Sequence, residues 1–203
     1  PNGTGDYLRN ISVVKQENLD LYETGAVYNP DWLALIEDAR EIRFMDWMDT
    51  NNSDVVSWDQ RPTPDGGPSY GVSVEDMVQL ANEVGADPWF TIPHQADEDY
   101  IRNFATYVRD NLDPNLVAKV QYSNEVWNWN FQQAKWLREQ AAEEWGVTEG
   151  PTHHNYHAML AVKNALIWKD VFGDEAEARL SNVIGTQAVN PWVTERIMEA
   201  EIW

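Results

Sequence analysis

An α/β fold built on a parallel sheet is what this sequence predicts, and three observations carry the expectation. Four short runs rich in β-branched and aromatic residues alternate with longer stretches of 3.6-residue apolar periodicity. The polar and aromatic residues of each run gather at its C-terminal end, where parallel sheets place their sites. No G-x-G-x-x-G or Walker loop follows any run, which favours a barrel over the doubly wound sheet.

Taken in order, residues 1–31 read as a loop-rich segment with one strand-like run at 7–14 and a turn at Asn29-Pro30, ahead of an α/β body over 32–203. Asp31 predicts the cap of a short helix over 32–39, with Leu33 and Ile36 on one side. Residues 41–48, EIRFMDWM, predict a strand carrying Arg43, Asp46 and Trp47 toward its end. The Pro/Gly-rich stretch 51–71 is too long for a simple connector and predicts a functional loop. Ser73 with Asp76 makes a capping-box start for a helix whose stripe is Val74, Met77, Ala81 and Val84 and whose stop is Gly85.

A second strand, 88–93, delivers His94, and Asp97 opens a helix with Ile101, Phe104, Ala105, Val108 and Leu112 in register. The next strand begins at Val117 and gives way to Ser123, Asn124 and Glu125, then to Trp127 and Trp129 among asparagines. Helices are predicted over 131–145, ending at Gly146, and over 155–172, ending at Gly173. A fourth strand over 180–189 carries Gln187, and Asn190-Pro191 supplies the cap and first-turn proline of a last helix.

Composition narrows the partners. The 203 residues, 43% of them hydrophobic, suffice for one domain with a sizeable core. Thirty-four acidic against 14 basic residues give a net charge of −20, which repels nucleic-acid phosphates and anionic membranes and favours a neutral partner. The same surplus suits solubility in high salt. The absence of cysteine excludes disulfides and thiolate metal sites. No apolar run is long enough for a membrane span, and the start at Pro1 is compatible with an export signal upstream, so an extracellular or periplasmic location is expected. Of eleven tryptophans, Trp136, Trp145 and Trp168 fall in helical stretches and read as core. Trp47, Trp58, Trp89, Trp127, Trp129 and Trp192 sit beside Asn, Asp or Pro, and those of them at strand ends are the better candidates for flat apolar platforms under sugar rings.

The candidate chemistry centres on Glu125. A carboxyl that acts on a sugar needs an apolar ring face to raise its pKa and an adjacent amide to hold a substrate hydroxyl, and Asn124 with the two following indoles is such a setting. Asp46 reads equally as a substrate ligand or inverting base and as a scaffold partner of Arg43. His94, after Pro93 at a strand end, reads as a sugar ligand, and Gln187 holds the same kind of position. Asn51 reads as a turn former. His153 and His157 have i, i+4 spacing but lack the Glu of H-E-x-x-H, so His153, His154 and His157 predict a solvated helix start. No metal or cofactor is expected.

The Asn124-Glu125 pair ending a strand, with Arg43 near the end of an earlier one and His94 after the strand between them, resembles clan A glycoside hydrolases, the retaining (β/α)8 TIM-barrel enzymes that include cellulase-like and mannanase-like families. The resemblance covers roughly residues 41–189. It implies a partial barrel, roughly strands two to five. It implies Glu125 as general acid/base, Asn124 on the sugar 2-hydroxyl, Arg43 supporting the nucleophile, and His94 as the histidine ending the third strand. Asp46, Trp47, Trp127, Trp129 and Gln187 would line the carbohydrate site. The clan's nucleophile is a second Glu ending the seventh strand, and this sequence matches only as far as the fifth. Retaining hydrolysis needs two carboxylates about 5 to 5.5 Å apart. The expectation is therefore a fragment whose nucleophile and remaining strands belong to the same longer polypeptide, inactive alone. The other reading is a carbohydrate-binding barrel with no turnover.

Overall fold

The structure is a computed structural model that describes residues 12–66 and 69–200. Most of the strand expected at 7–14 lies outside the described residues, and its described end, 12–14, has no regular structure. The chain divides into two compact units, Pro1–Asp38 and Ala39–Trp203.

The first unit holds two short helices, α1 (Leu19–Glu23) and α2 (Pro30–Ile36). The cap of α2 is Asn29, whose Oδ1 accepts the Asp31 N–H at 2.9 Å, and not Asp31 as the sequence suggests. Pro30 explains the shift: its fixed φ and missing N–H suit the first helical position. Asp31 instead takes the Lys15 ammonium at 2.7 Å.

The second unit is built on four parallel strands, β1 (Glu41–Arg43), β2 (Asp87–Ile92), β3 (Ala118–Tyr122) and β4 (Leu180–Val183), ordered in the sheet as in the chain. Register aligns Arg43 with Trp89, Trp89 with Lys119 and Lys119 with Ser181, and two residues on it aligns Thr91, Gln121 and Val183. An order without reversal means that each crossover carries the chain one strand further the same way. Between the strands run α3 (Val74–Val84), α4 (Glu98–Asn111), α5 (Gln132–Trp145), α6 (Thr152–Phe172) and the single turn α7 (Ala176–Arg179), and α8 (Pro191–Met198) follows β4.

Strand alternation gives the sheet two unlike faces. Phe90, Val120 and Tyr122 are buried on the helix side. Phe90 meets Phe104 of α4 at 5.1 Å and Trp168 of α6 at 6.3 Å, and Tyr122 packs with Leu137, Tyr156 and Met159. The opposite face carries Arg43, Trp89, Thr91, Lys119 and Gln121, and Lys119 pairs with Glu41 there.

The helix starts follow local chemistry. Ser73 Oγ accepts the Asp76 N–H at 3.1 Å while donating to the Asp76 carboxylate, and Asp97 accepts the Tyr100 N–H at 2.7 Å. Gly85 and Gly146 close α3 and α5 in the left-handed conformation.

Three expectations need correction. The strand expected over 41–48 stops at Arg43 and turns, because Phe44 and Met48 both go into the core in a tight turn that closes on Asp49 at φ 46°. The strand expected over 180–189 stops at Val183 before Gly185, where the Gln121 side chain comes so close that a Cβ would lie 2.7 Å from its Nε2. Helix α6 starts at Thr152, and His153, His154 and His157 are buried and not solvated. They are covered from outside their own helix: Trp129 lies 4.7 Å from the His153 ring, Trp192 of α8 lies 5.6 Å from His154, and Tyr122 of β3 lies 6.0 Å from His157.

Candidate active-site cleft at the strand ends

The chain leaves β3 through an unusual backbone. Ser123 and Glu125 both have positive φ, 57° and 41°, a region that costs a side-chain-bearing residue of order 1 kcal/mol. Between them Asn124 is held within the strand-end layer, and its amide is fully oriented. Its Oδ1 accepts from the Arg43 guanidinium at 2.8 Å, and its Nδ2 donates to Asn51 Oδ1 at 3.0 Å. Arg43 reaches Asn124 from β1, two strands away, passing over the Trp89 ring at 5.0 Å and touching Gln121 Oε1 at 3.4 Å.

Glu125 is half-buried, and its Oε2 accepts from Asn128 Nδ2 at 2.9 Å. It faces a cleft of about 310 Å³ at the C-terminal ends of the strands. Arg43, Trp89, Gln121, Asn124 and Trp127 line it with Glu125, and residues 183–186 close the far side. Trp127 is anchored behind by Ala158, Val193 and Ile197. Glu125 is the single carboxylate among the described residues lining this cleft. No family model, curated protein or solved structure matches this chain.

Four of the residues singled out in the sequence therefore come together: Glu125, Asn124, Arg43 and Trp127. The other five lie elsewhere. His94 is 1% exposed, edge-on to Trp136 at 5.3 Å, with neither ring nitrogen bonded to protein, and burial lowers its pKa to about 4 against the pull of Asp54. It is a core residue whose carbonyl accepts the Tyr122 hydroxyl at 2.6 Å. Asp46 is exposed in the turn after β1, and the Arg43 guanidinium is engaged by Asn124 and Gln121. Trp47 packs on Phe44 at 5.4 Å, and its carbonyl takes the Val72 N–H. Trp129, 44% exposed, covers His153 under Arg138. The Gln187 carbonyl turns the chain into α8 by accepting the Asn190 N–H at 2.9 Å.

Two cleft residues were absent from the sequence-derived site. In the sequence Trp89 is only one of several tryptophans beside a polar residue or proline, and the signal for Gln121 is its alternation on β3 alone, which turns it to the polar side of the sheet. Asn51 is not simply a turn former: the left-handed turn positions are Asp49 and Asn52, and Asn51 spends its side chain on Asn124. Among the described residues no group of three or more His, Cys, Asp or Glu converges to hold a metal, and no helix is long and apolar enough to cross a membrane.

Proposed function

We propose that this chain carries the acid/base half of a retaining glycoside hydrolase, within a (β/α)8 barrel of which the four parallel strands form part. The observation that carries the reading is the cleft itself: a carboxylate, an oriented amide, a guanidinium and two indoles meet at the C-terminal ends of sequentially ordered parallel strands. Each of these groups has a use in binding or cleaving a glycoside. Indole faces hold the apolar faces of sugar rings while the polar groups take the hydroxyls at the ring edge. Glu125 would protonate the leaving glycosidic oxygen and then, as its conjugate base, take a proton from the water that releases the glycosyl-enzyme. The nucleophile would be a second carboxylate from outside the described strands, about 5 to 5.5 Å from Glu125.

The single carboxylate in the cleft favours one other reading, a carbohydrate-binding barrel without turnover. One variant separates them. In the intact protein, Glu125→Gln should lower hydrolysis of unactivated β-linked gluco- and manno-oligosaccharides by about 10³-fold or more while leaving their affinity within a few-fold. An aryl glycoside with a good leaving group needs no proton donor for cleavage, and added azide should restore its turnover as a glycosyl azide. Sugar binding with no hydrolysis by either protein would select the binding module; neither binding nor hydrolysis would sink both readings.

A further inference from the structure

We propose that Gln133 is a positioning residue: from the first turn of α5 it locks the loops after β1 and β3 together and fixes which way the Asn124 amide points into the cleft. The proposal rests on the glycoside reading for what Asn124 binds, but not for the lock itself.

Gln133 is fully buried, and every hydrogen-bonding group of its side chain is used. One Nε2 hydrogen goes to Asn51 Oδ1 at 2.9 Å and the other to the Asn124 carbonyl at 2.8 Å. Its Oε1 accepts the Asn52 N–H at 3.1 Å, which the left-handed turn at Asn52 presents. The neighbouring Gln132 N–H donates to Asn52 Oδ1 at 2.7 Å, so the start of α5 grips the same loop twice. A buried primary amide with two donors and an acceptor all met is a costly arrangement to break, because each orphaned partner keeps its desolvation penalty.

The network dictates the Asn124 rotamer. Gln133 points an N–H at Asn51, so the Asn51 atom facing inward must be its oxygen, and that oxygen is also where Asn124 Nδ2 donates. Flipping Asn124 would set oxygen against Asn51 Oδ1 and an NH₂ group against the Arg43 guanidinium. Both contacts would be repulsive. One N–H and one oxygen lone pair of Asn124 are left over. That pair fits a ligand hydroxyl that donates and accepts at once, and gives the amide a defined polarity toward the sugar.

The test uses Gln133→Glu and Gln133→Met in the intact protein, with two readouts. The first is affinity for a β-linked oligosaccharide, read by tryptophan fluorescence at pH 8 and pH 6. Gln133→Glu keeps the acceptor for Asn52 but turns both donors into oxygen, so it should bind about tenfold more weakly at pH 8. At pH 6, protonation of a carboxyl crowded by two acceptor oxygens restores one donor, and the deficit should shrink to about threefold or less. Gln133→Met should show a deficit that is the same at both pH values. The second readout is hydrogen exchange of the Asn52 amide with the NMR shifts of the Asn124 side-chain NH₂: Gln133→Met should speed the exchange and move the NH₂ signals, and Gln133→Glu should leave the exchange slow. Unchanged affinity in Gln133→Glu at pH 8, or a loss that ignores pH, overturns the proposal. A parent protein that binds no sugar fails the glycoside reading instead, and the Asn52 and Asn124 signals then decide the lock alone.

Discussion

Ser123 shows how single residues pay for the geometry of the cleft. It is buried, its φ is 57°, and its Oγ has no protein hydrogen-bond partner, so its side chain contributes little while its backbone is held where Cβ is disfavoured. Ser123→Gly should fall within about 0.5 kcal/mol of the parent, strain relief being offset by the freer unfolded chain. Ser123→Val should cost about 2 kcal/mol or more, since a β-branched side chain tolerates that region worst. Urea unfolding of the two variants checks this, and equal stabilities would refute the strain. The same scale shows what was legible. Asn124 and Glu125 could be found because a polar pair directly after an apolar run marks a strand end. Gln133 could not, since a glutamine in a helical stretch looks like a wet surface residue until three loop atoms close on it. His94 misled for the converse reason: its place after a strand suggests a rim residue, but the Trp136 indole across from it turns the rim into core.

Among the elements, helices are legible in the sequence wherever a cap makes the signal local. Ser73, Asp97, Gly85 and Gly146 act on backbone groups three or four residues away, and those boundaries hold to within a residue. The ends of β1 and β4 are not legible in the sequence because what stops them is tertiary. Apolar residues continue past Arg43, but they serve a turn, and that turn is pinned by Gly71, whose φ is 106° and whose missing Cβ would meet the Trp47 carbonyl at 2.7 Å. Gly71→Ala should therefore cost about 2 kcal/mol or more. Gly66, at φ 86° with open space around it, should lose only about 1 kcal/mol on the same change. Thermal unfolding of the pair isolates the steric part, and equal shifts would argue against the contact.

At the scale of the whole molecule the four buried histidines set an acid limit. Burial lowers His94, His154 and His157 to about 4 and His153, with help from His154, Arg138 and His157, to about 3. Unfolding returns each to about 6.5, so the unfolded chain binds more protons between those values. The sign follows: their stabilising contribution is complete above pH 6.5 and is lost as pH falls toward 4. Each site alone would cost about 2 kcal/mol at pH 5, although the three on α6 are coupled and do not simply add. Urea midpoints should drop steeply from pH 7 to pH 5. His94→Leu should flatten the fall by up to about 1.4 kcal/mol per pH unit, and an unchanged slope would rule out proton uptake at that ring.

The three α6 histidines belong to eight consecutive buried residues, from Thr152 to Met159, in a helix touched by α4, α5, α8 and β3. That leading half has no outer surface along which to peel away, and the helix reaches solvent only further on, as at Val162 and Leu166. For its leading half to loosen, α5 with Gln133, α8 behind Trp127, or the strand leading to Asn124 must yield in the same event. Cleft geometry and global cohesion are thereby fastened to one axle, and this body has little freedom to soften its cleft without coming apart.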